Sequence, residues 1–331
     1  MKKLINAPST YVDEALDGLC AAYSGYRRTG RGGRVIARAD GGGGRVGVVT
    51  GGGFGHLPVF AGYVGQGMLS ACAVGEVFAG PPADICLDAI RAADEGEGVL
   101  CLLANYGGDR MSFAQACDDY EEVVPQRTLT VVIADDVASA PFEQRSKRRG
   151  VAGMVFAFKT AGAAAARGAV LADVADVAAR TARRTRSMGV ALSPCLIPGA
   201  AKPGFDVSDG MMEIGMGIHG EPGVAEQPLS SADAVTADIL GRLLADAPAD
   251  SKRAAILINS LGATPLEELL IVYRKATAVL DAAGISINRR YVGHYATSME
   301  MAGLSISLLF LDDEIDTLLG APTSCPFWPR G

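Results

Sequence analysis

The sequence predicts an α/β fold, because short apolar runs with strand character alternate along the chain with longer segments of helical periodicity. The length of 331 residues is typical of two domains. Hydrophobic residues make up 49% of the chain, which is enough for a sizeable core. We therefore expect two α/β domains built on mixed sheets.

Eight segments have the apolar character of strands. They are 45–50, 98–104, 128–134, 190–197, 212–218, 254–259, 288–294 and 305–311. Seven segments between them are predicted to be helices. They are 10–23, 82–95, 111–122, 160–167, 171–187, 231–244 and 264–283. In the last of these, Leu266, Leu269, Tyr273 and Leu280 recur at helical spacing, which predicts one apolar face.

The domain boundary is expected between residues 184 and 190. A basic helix end, which includes Arg183 and Arg184, precedes Gly189 there, and a strand-rich segment follows. The sequence thus predicts an N-terminal domain at 1–185 and a C-terminal domain at 186–331.

Composition excludes several classes of protein. The net charge of −7 argues against binding of nucleic acid through a basic surface. The number of cysteines, seven, is odd, and no C-x-x-C pair occurs, so neither a zinc site nor a disulfide framework is expected. Residues 46–75 carry no formal charge, but their glycines and Pro58 favour a buried loop-and-strand region over a membrane span. The N-terminus lacks the apolar region of a signal peptide, so a cytoplasmic protein is expected.

A glycine cluster follows the first predicted strand, in VTGGGFGHLP at residues 49–58. No Lys-Ser or Lys-Thr follows it, as a P-loop would require, and the third glycine of a dinucleotide fingerprint is misplaced. Glycines also allow a ligand to approach the backbone closely, and a tight structural turn is the equal alternative. His56 at the end of the cluster favours a small polar ligand.

Three strand ends each carry one titratable side chain. His56 ends the glycine cluster, Asp109 follows NYGG, and His219 lies between glycines in MEIGMGIHGEPG. Side chains at strand ends point into the clefts where α/β proteins bind ligands. We therefore expect these three residues to form a site, and we interpret His294, inside YVGHYATS, as a packed or surface residue.

Two kinds of chemistry suit two histidines and one carboxylate. Such a set can bind iron or zinc, although no H-x-H or H-x-x-x-H pair supports a metal site here. It can also perform acid–base chemistry, since histidine titrates near neutral pH, or nucleophilic attack on an electrophilic carbon.

Five motifs occur in a characteristic order: GGGFGH, NYGGD, GMGIHGEPG, NSLGATPLEEL and ATSMEMAGLSISLL. In this order and spacing they resemble the K subunit family of dihydroxyacetone kinases, and the resemblance covers nearly the whole chain. It implies a homodimer whose subunit has two α/β domains with a ligand cleft between them. It also implies that a ring nitrogen of His219 adds to the substrate ketone to give a hemiaminal. His56 and Asp109 would then be the acid–base pair for the hydroxyl that receives phosphate. The residues that would line the pocket are Gly53, Phe54, Gly55 and Ala104.

The chain departs from the family pattern at three positions in that pocket. Phe54 stands where the family has serine, Leu57 where it has glutamate, and Ala104 where it has lysine. A less polar pocket is expected, so the substrate should be a ketone larger or less hydroxylated than dihydroxyacetone, such as a tetrulose.

No nucleotide-binding motif accompanies the ketone-binding motifs. We therefore expect no metal or cofactor in this chain, and ATP or ADP with Mg²⁺ on a separate L-type donor subunit. The alternatives are a divergent relative with a non-kinase reaction and a ketone-sensing regulator. A sensor would keep His219 but would not need both His56 and Asp109.

Overall fold

The computed structural model describes residues 2–41, 43–125, 127–218 and 223–329. The chain divides into two compact units, each described here by itself. Unit 1 comprises Met1–Ile133, Val155–Arg180 and Thr317–Gly331, and unit 2 comprises Ala134–Met154 and Thr181–Asp316.

Within the described residues, unit 1 contains a six-stranded sheet with helices packed on it. Its strands are β1 (Tyr26–Thr29), β2 (Val35–Arg38), β3 (Gly47–Phe54), β4 (Ala71–Val77), β5 (Val99–Ala104) and β6 (Thr128–Ile133). The helices that begin before residue 180 are α1 (Tyr11–Ala22), α2 (Ala83–Ala93), α3 (Gly107–Glu121), α4 (Met154–Ala166) and α5 (Leu171–Arg184).

The sheet of unit 1 is mixed, with the strand order β1-β2-β4-β3-β5-β6. Strands β4, β3, β5 and β6 run parallel, while β1 and β2 are antiparallel to their neighbours. All eight residues of β3 are buried, which explains its uninterrupted run of apolar and small residues. The core on one face joins β3 and β5 to α2 and α3 through residues such as Val49, Ile90 and Phe113.

The glycines of β3 are required by close packing. A Cβ on Gly52 would lie 2.1 Å from the ring of Phe60, and one on Gly53 would lie 2.7 Å from the backbone nitrogen of Ala79. These distances leave no room for any side chain. The glycines of the cluster therefore allow Phe60 and the backbone at residues 78–79 to pack closely against β3.

In the described part of unit 2, a second six-stranded mixed sheet has the order β11-β10-β12-β7-β8-β9. Its strands are β7 (Thr185–Ala191), β8 (Met211–Ile214), β9 (Ala225–Pro228), β10 (Arg253–Ser260), β11 (Ser286–Gly293) and β12 (Gly303–Phe310). Its helices are α6 (Ala232–Ala245) and α7 (Leu266–Ala282), and α8 (Asp313–Leu319) follows β12. Helices α6 and α7 cover the sheet through residues such as Ile239, Leu269 and Leu280.

The α/β class, with mixed sheets in two domains, is thus confirmed. Strands β1, β2, β4 and β9 and helix α8 had no prediction of their own. The charged sequence of β1 (YRRT) and the polar, mostly exposed sequence of β9 (AEQP) lack an apolar pattern. Strand β4 begins in the uncharged segment 46–75, which forms strands and turns, and ends two residues beyond it at Val77. No helix among the described residues is both long and apolar enough to cross a membrane.

The predictions around residues 185–218 were wrong in their bounds. Helix α5 ends at Arg184, and the next strand, β7, begins at Thr185 and ends at Ala191. This buried strand contains a basic residue, Arg186, so its sequence lacks the apolar pattern of a buried strand. The strand tolerates Arg186 because its guanidinium donates to the backbone oxygen of Asp246 at 3.0 Å. Strand β8 ends at Ile214 because Gly215 has φ +72°, which turns the chain out of the sheet.

The two units also differ from the contiguous domains 1–185 and 186–331. Residues 134–154 belong to unit 2, where the N–H of Ser187 in β7 donates to the Asp135 carbonyl at 2.8 Å and the Val137 N–H donates to the Ser187 carbonyl at 3.0 Å. The C-terminal residues belong to unit 1, where the buried Lys159 donates to the Leu318 carbonyl at 3.0 Å. Such contacts join residues far apart in sequence and leave no local pattern.

The packing of β3 predicts that alanine substitution of two glycines, Gly53 and Gly18, changes the free energy of unfolding in opposite directions. Gly53→Ala should lower the free energy of unfolding by about 1–3 kcal/mol, because its Cβ meets backbone atoms that cannot rotate away. Gly18→Ala in α1 is the matched control, since no atom lies within 4 Å of its Cβ. It should stabilise the helix by about 0.5–1 kcal/mol. Urea titration of both variants measures the difference, and equal stabilities would contradict the packing argument.

Candidate functional site

The first predicted site residue lies directly after β3. The strand ends at Phe54, Gly55 adopts φ +104°, and the side chain of His56 is fully buried. A left-handed backbone at residue 55 favours glycine. The glycine thus turns the chain so that His56 points into the interior of unit 1.

Two aromatic rings enclose His56. The Phe78 ring stacks on it with centroids 4.8 Å apart and planes at 25°, and the Phe60 ring meets it edge-on at 6.3 Å. Rings on two sides hold the imidazole plane in one orientation. Such a histidine is pre-positioned for directed hydrogen bonding or proton transfer.

Asp109 lies in the first turn of α3 and is 6% exposed. The N-terminus of a helix stabilises a carboxylate through the partial positive charge of its free N–H groups. A Cβ on Gly80 would lie 2.2 Å from the Asp109 Oδ1. The backbone at Gly80 therefore lies directly against this carboxylate.

Residues 78–80 connect the two predicted acid–base residues. Phe78 contacts His56 through its ring, and Gly80 contacts Asp109 through its backbone. The backbone of Phe78 and Ala79 in turn lies against Gly53. The structure thus brings His56 and Asp109 to one short segment, which we call the 78–80 segment.

The predicted pocket residues have clear packing roles. Phe54 is 5% exposed, and its ring meets Tyr11 of α1 edge-on at 5.9 Å. Ala104 is the last residue of β5 and is 1% exposed, while Gly53 is buried in β3 and Gly55 is buried in the turn that follows it. Their contact with a substrate stays a prediction.

His219 lies outside the described residues, but both flanks of its loop are anchored in unit 2. On one side, the Ser298 hydroxyl donates to the Ile218 carbonyl at 2.6 Å. On the other side, the Gly223 N–H donates to the Glu213 carboxylate at 2.8 Å. The loop therefore begins and ends at fixed points.

Asn259 and Ser298 hold the described flank of the predicted His219 site, and the sequence analysis did not identify them. The Asn259 carboxamide donates to the Ala296 carbonyl at 2.7 Å and accepts from the N–H groups of Tyr295 and Ala296. These bonds fix the segment that leads to Ser298. The available signal was their position in NSLGATPLEEL and ATSMEM, two of the motifs that carry the resemblance.

An ion pair supports the same loop from another direction. Arg149 pairs with the buried carboxylate of Asp136 at 2.8 Å and donates to the Gly215 carbonyl at 2.7 Å. Burial raises the pKa of Asp136 to about 6, while the neighbouring Arg149 opposes the shift. The negative charge of the neighbouring Asp135, whose own pKa is also raised by burial, further raises the pKa of Asp136.

In the described part of the chain, no three His, Cys, Asp or Glu side chains lie close enough together to bind a metal ion. The alternative that includes His219 is not tested, because His219 lies outside that part. His294 is exposed at the end of β11, with its Nε2 3.1 Å from the Gly262 carbonyl oxygen.

The Dak1 domain model matches residues 17–327. The chain belongs to the Dak1 domain family. Membership agrees with the family resemblance seen in the sequence motifs.

Two curated relatives of this Dak1 chain differ in length. It is 42% identical over 337 residues to the L-erythrulose kinase of Pectobacterium atrosepticum, covering 100% of the chain but only 57% of that protein. It is 39% identical over 317 residues to the dihydroxyacetone-binding subunit of the PTS-dependent dihydroxyacetone kinase 1 of Listeria innocua, covering 95% of each.

Two solved structures share the Dak1 fold. The dihydroxyacetone kinase of C. freundii matches with a TM-score of 0.93 and 31% identity, over 99% of this chain and 60% of that one. A dihydroxyacetone kinase operon co-activator matches with a TM-score of 0.89 and 28% identity, over 95% and 97% of the two chains.

The anchoring of the His219 loop predicts a local effect of Ser298→Ala. Loss of the hydroxyl should destabilise unit 2 by about 1–3 kcal/mol and speed amide exchange in a peptide covering 212–225, since the Ile218 carbonyl loses its donor. Ser251→Ala is the control, because Ser251 also donates to a backbone carbonyl, that of Pro248 at 2.6 Å. Unchanged exchange in that peptide would contradict the anchoring role.

The raised pKa of Asp136 predicts a pH dependence with a definite sign. The folded protein holds this proton more tightly than the unfolded chain, so the contribution of Asp136 to stability increases as the pH falls from about 7 to 4. The stability of the wild type relative to Asp136→Asn should rise by at most about 3 kcal/mol over that range. Urea titrations at several pH values measure this. A difference that stays constant would contradict the raised pKa.

Proposed function

We propose that the chain is the ketone-binding subunit of a kinase, which binds a small hydroxyketone covalently through His219 and presents it to a separate phosphoryl-donor subunit. One observation carries the proposal within the structure. His56 and Asp109 are both buried and both lie against the 78–80 segment. A shared position of this kind suits an acid–base pair in a chain of the Dak1 domain family.

The chemistry divides between binding and proton transfer. A ring nitrogen of His219 adds its electron pair to the carbonyl carbon, and the carbonyl oxygen takes the proton that the ring releases. Only a carbonyl compound can form this hemiaminal, so polyols such as glycerol are rejected. His56, oriented by its two aromatic neighbours, then accepts a proton from the hydroxyl that attacks the phosphoryl group, and Asp109 assists it.

A four-carbon ketose is the substrate we favour. The curated relative named L-erythrulose kinase supports a tetrulose, and the relative named as a dihydroxyacetone-binding subunit supports the three-carbon ketone. Leu57 and Ala104 offer fewer polar partners than the glutamate and lysine of the family pattern. Alanine at position 104 is also much shorter than lysine, and the space that it leaves suits a ketose with a fourth carbon.

The phosphoryl donor is proposed to be a separate L-type subunit that binds ATP or ADP with Mg²⁺. The Listeria innocua relative, which is named as the dihydroxyacetone-binding subunit of its kinase, supports a donor on another subunit. A homodimer of the ketone-binding subunit is part of the same proposal.

A ketone-sensing regulator is the second candidate function. The likeness to the operon co-activator favours it. Retention of both His56 and Asp109 favours the enzyme, because a sensor needs only to bind the ketone.

Histidine substitutions distinguish the two functions. Binding of erythrulose and of dihydroxyacetone is measured by calorimetry, and phosphorylation is measured with added donor subunit, ATP and Mg²⁺. We expect His219→Ala to abolish ketone binding. His56→Asn should leave binding within about threefold and lower turnover by about 100-fold or more, the usual contribution of an acid–base group.

The matched control is His294→Asn, which changes an exposed histidine and should alter neither readout. Full turnover in both His56→Asn and Asp109→Asn would contradict the acid–base assignment. Ketone binding without phosphorylation by any donor would favour the sensor, and preference for dihydroxyacetone over erythrulose would contradict the substrate proposal.

A further inference from the structure

Two cysteines of unit 1 lie in contact, although their spacing in the sequence gives no sign of it. Cys101 on β5 and Cys117 on α3 have their sulfur atoms 3.7 Å apart. Cys101 is fully buried, whereas Cys117 is only partly buried. A disulfide requires a separation of about 2.05 Å, so the sulfurs need to move together by less than 2 Å.

The surroundings of Cys117 favour its thiolate. The Cys101 thiol and the hydroxyls of Thr128 and Thr130 lower the pKa of Cys117 to about 7, although burial and the carboxylate of Glu121 oppose this. Cys101 is affected in the opposite sense, because its bond to Cys117, and then burial, raise its pKa well above the ordinary value. The two shifts together favour a thiolate at Cys117 and a thiol at Cys101.

A lowered pKa distinguishes Cys117 from Cys20, Cys72, Cys86 and Cys325. Cys20 is also partly buried, but burial raises its pKa. Cys72, Cys86 and Cys325 are buried, and burial raises their pKa values too. Only a thiol that is both accessible and ionised reacts quickly with electrophiles at neutral pH. Among these cysteines, Cys117 combines the two properties.

We propose that Cys101 and Cys117 form an oxidisable dithiol, with Cys117 as the thiolate that reacts with hydrogen peroxide and Cys101 as the thiol that resolves it. The Cys117 sulfur attacks one peroxide oxygen, the O–O bond breaks, and the released hydroxide takes up a proton to give water. Cys117 is then a sulfenic acid. The Cys101 sulfur attacks the Cys117 sulfur and loses its proton, and the sulfenic hydroxyl leaves as a second water. Two thiols and one peroxide thus give one disulfide and two waters.

The disulfide would join two elements that carry predicted site residues. Strand β5 ends at Ala104, and α3 has Asp109 in its first turn. The modification site is independent of the proposed ketone chemistry, since neither sulfur takes part in it.

Oxidation of the full chain, followed by digestion and mass spectrometry of the peptides, tests the proposal directly. The reduced protein is treated with hydrogen peroxide, the remaining thiols are blocked with N-ethylmaleimide, and the chain is digested. We expect a linked peptide pair containing Cys101 and Cys117, which dithiothreitol separates, while Cys20 carries the label. Without peroxide, iodoacetamide should alkylate Cys117 about tenfold faster than Cys20 at pH 7.

Cys101→Ala separates the two roles, and the small apolar residue suits a buried strand. Dimedone should then trap Cys117 as a sulfenic acid that accumulates, whereas in the wild type this adduct stays minor. The proposal is overturned if Cys117 keeps a free thiol under conditions that oxidise Cys20, or if it links only to a second chain. The wild-type measurement decides the matter even if the variant does not fold.

Discussion

The close approach of the 78–79 backbone to Gly53 is the contact on which the arrangement of unit 1 depends. No side chain fits between the two, so β3 and the 78–80 segment pack backbone against backbone. That packing places the Phe78 ring on His56 and the Gly80 backbone against Asp109. The glycine cluster therefore determines where the two titratable groups lie, whether or not it also contacts a ligand.

In unit 2, hydrogen bonds rather than close backbone packing hold the residues that flank 219–222. The carboxamide of Asn259 uses both its donor and its acceptor on the backbone near residue 296, and Ser298 continues from there to the Ile218 carbonyl. Arg149, held by Asp136, fixes the turn at Gly215. A buried network that satisfies its polar groups in this way holds the described residues on either side of 219–222 in place.

The sequence predicts those features whose cause is local. Apolar strands at regular intervals predicted the α/β class. The sequence also predicted that His56 and Asp109 follow strands, and they lie just after β3 and in the first turn of α3, the helix that follows β5. Strand β7 was missed in part because the charge of Arg186 is compensated by Asp246, a residue far away in the chain. The same reason applies to the unit boundaries, to Asn259 and to the Cys101–Cys117 contact, since each is set by partners that only the folded chain brings together.

Phe78 shows how site geometry and stability oppose each other at one residue. Its φ of +57° is a left-handed conformation, which costs a side chain with a Cβ roughly 1–2 kcal/mol and costs glycine almost nothing. Selection for thermal robustness alone would favour glycine at this position. Glycine would, however, remove the ring that covers His56, so the histidine would gain freedom to rotate. The left-handed backbone at Phe78 therefore accompanies the ring that stacks on His56, and a screen for stabilising substitutions alone would favour removing that ring.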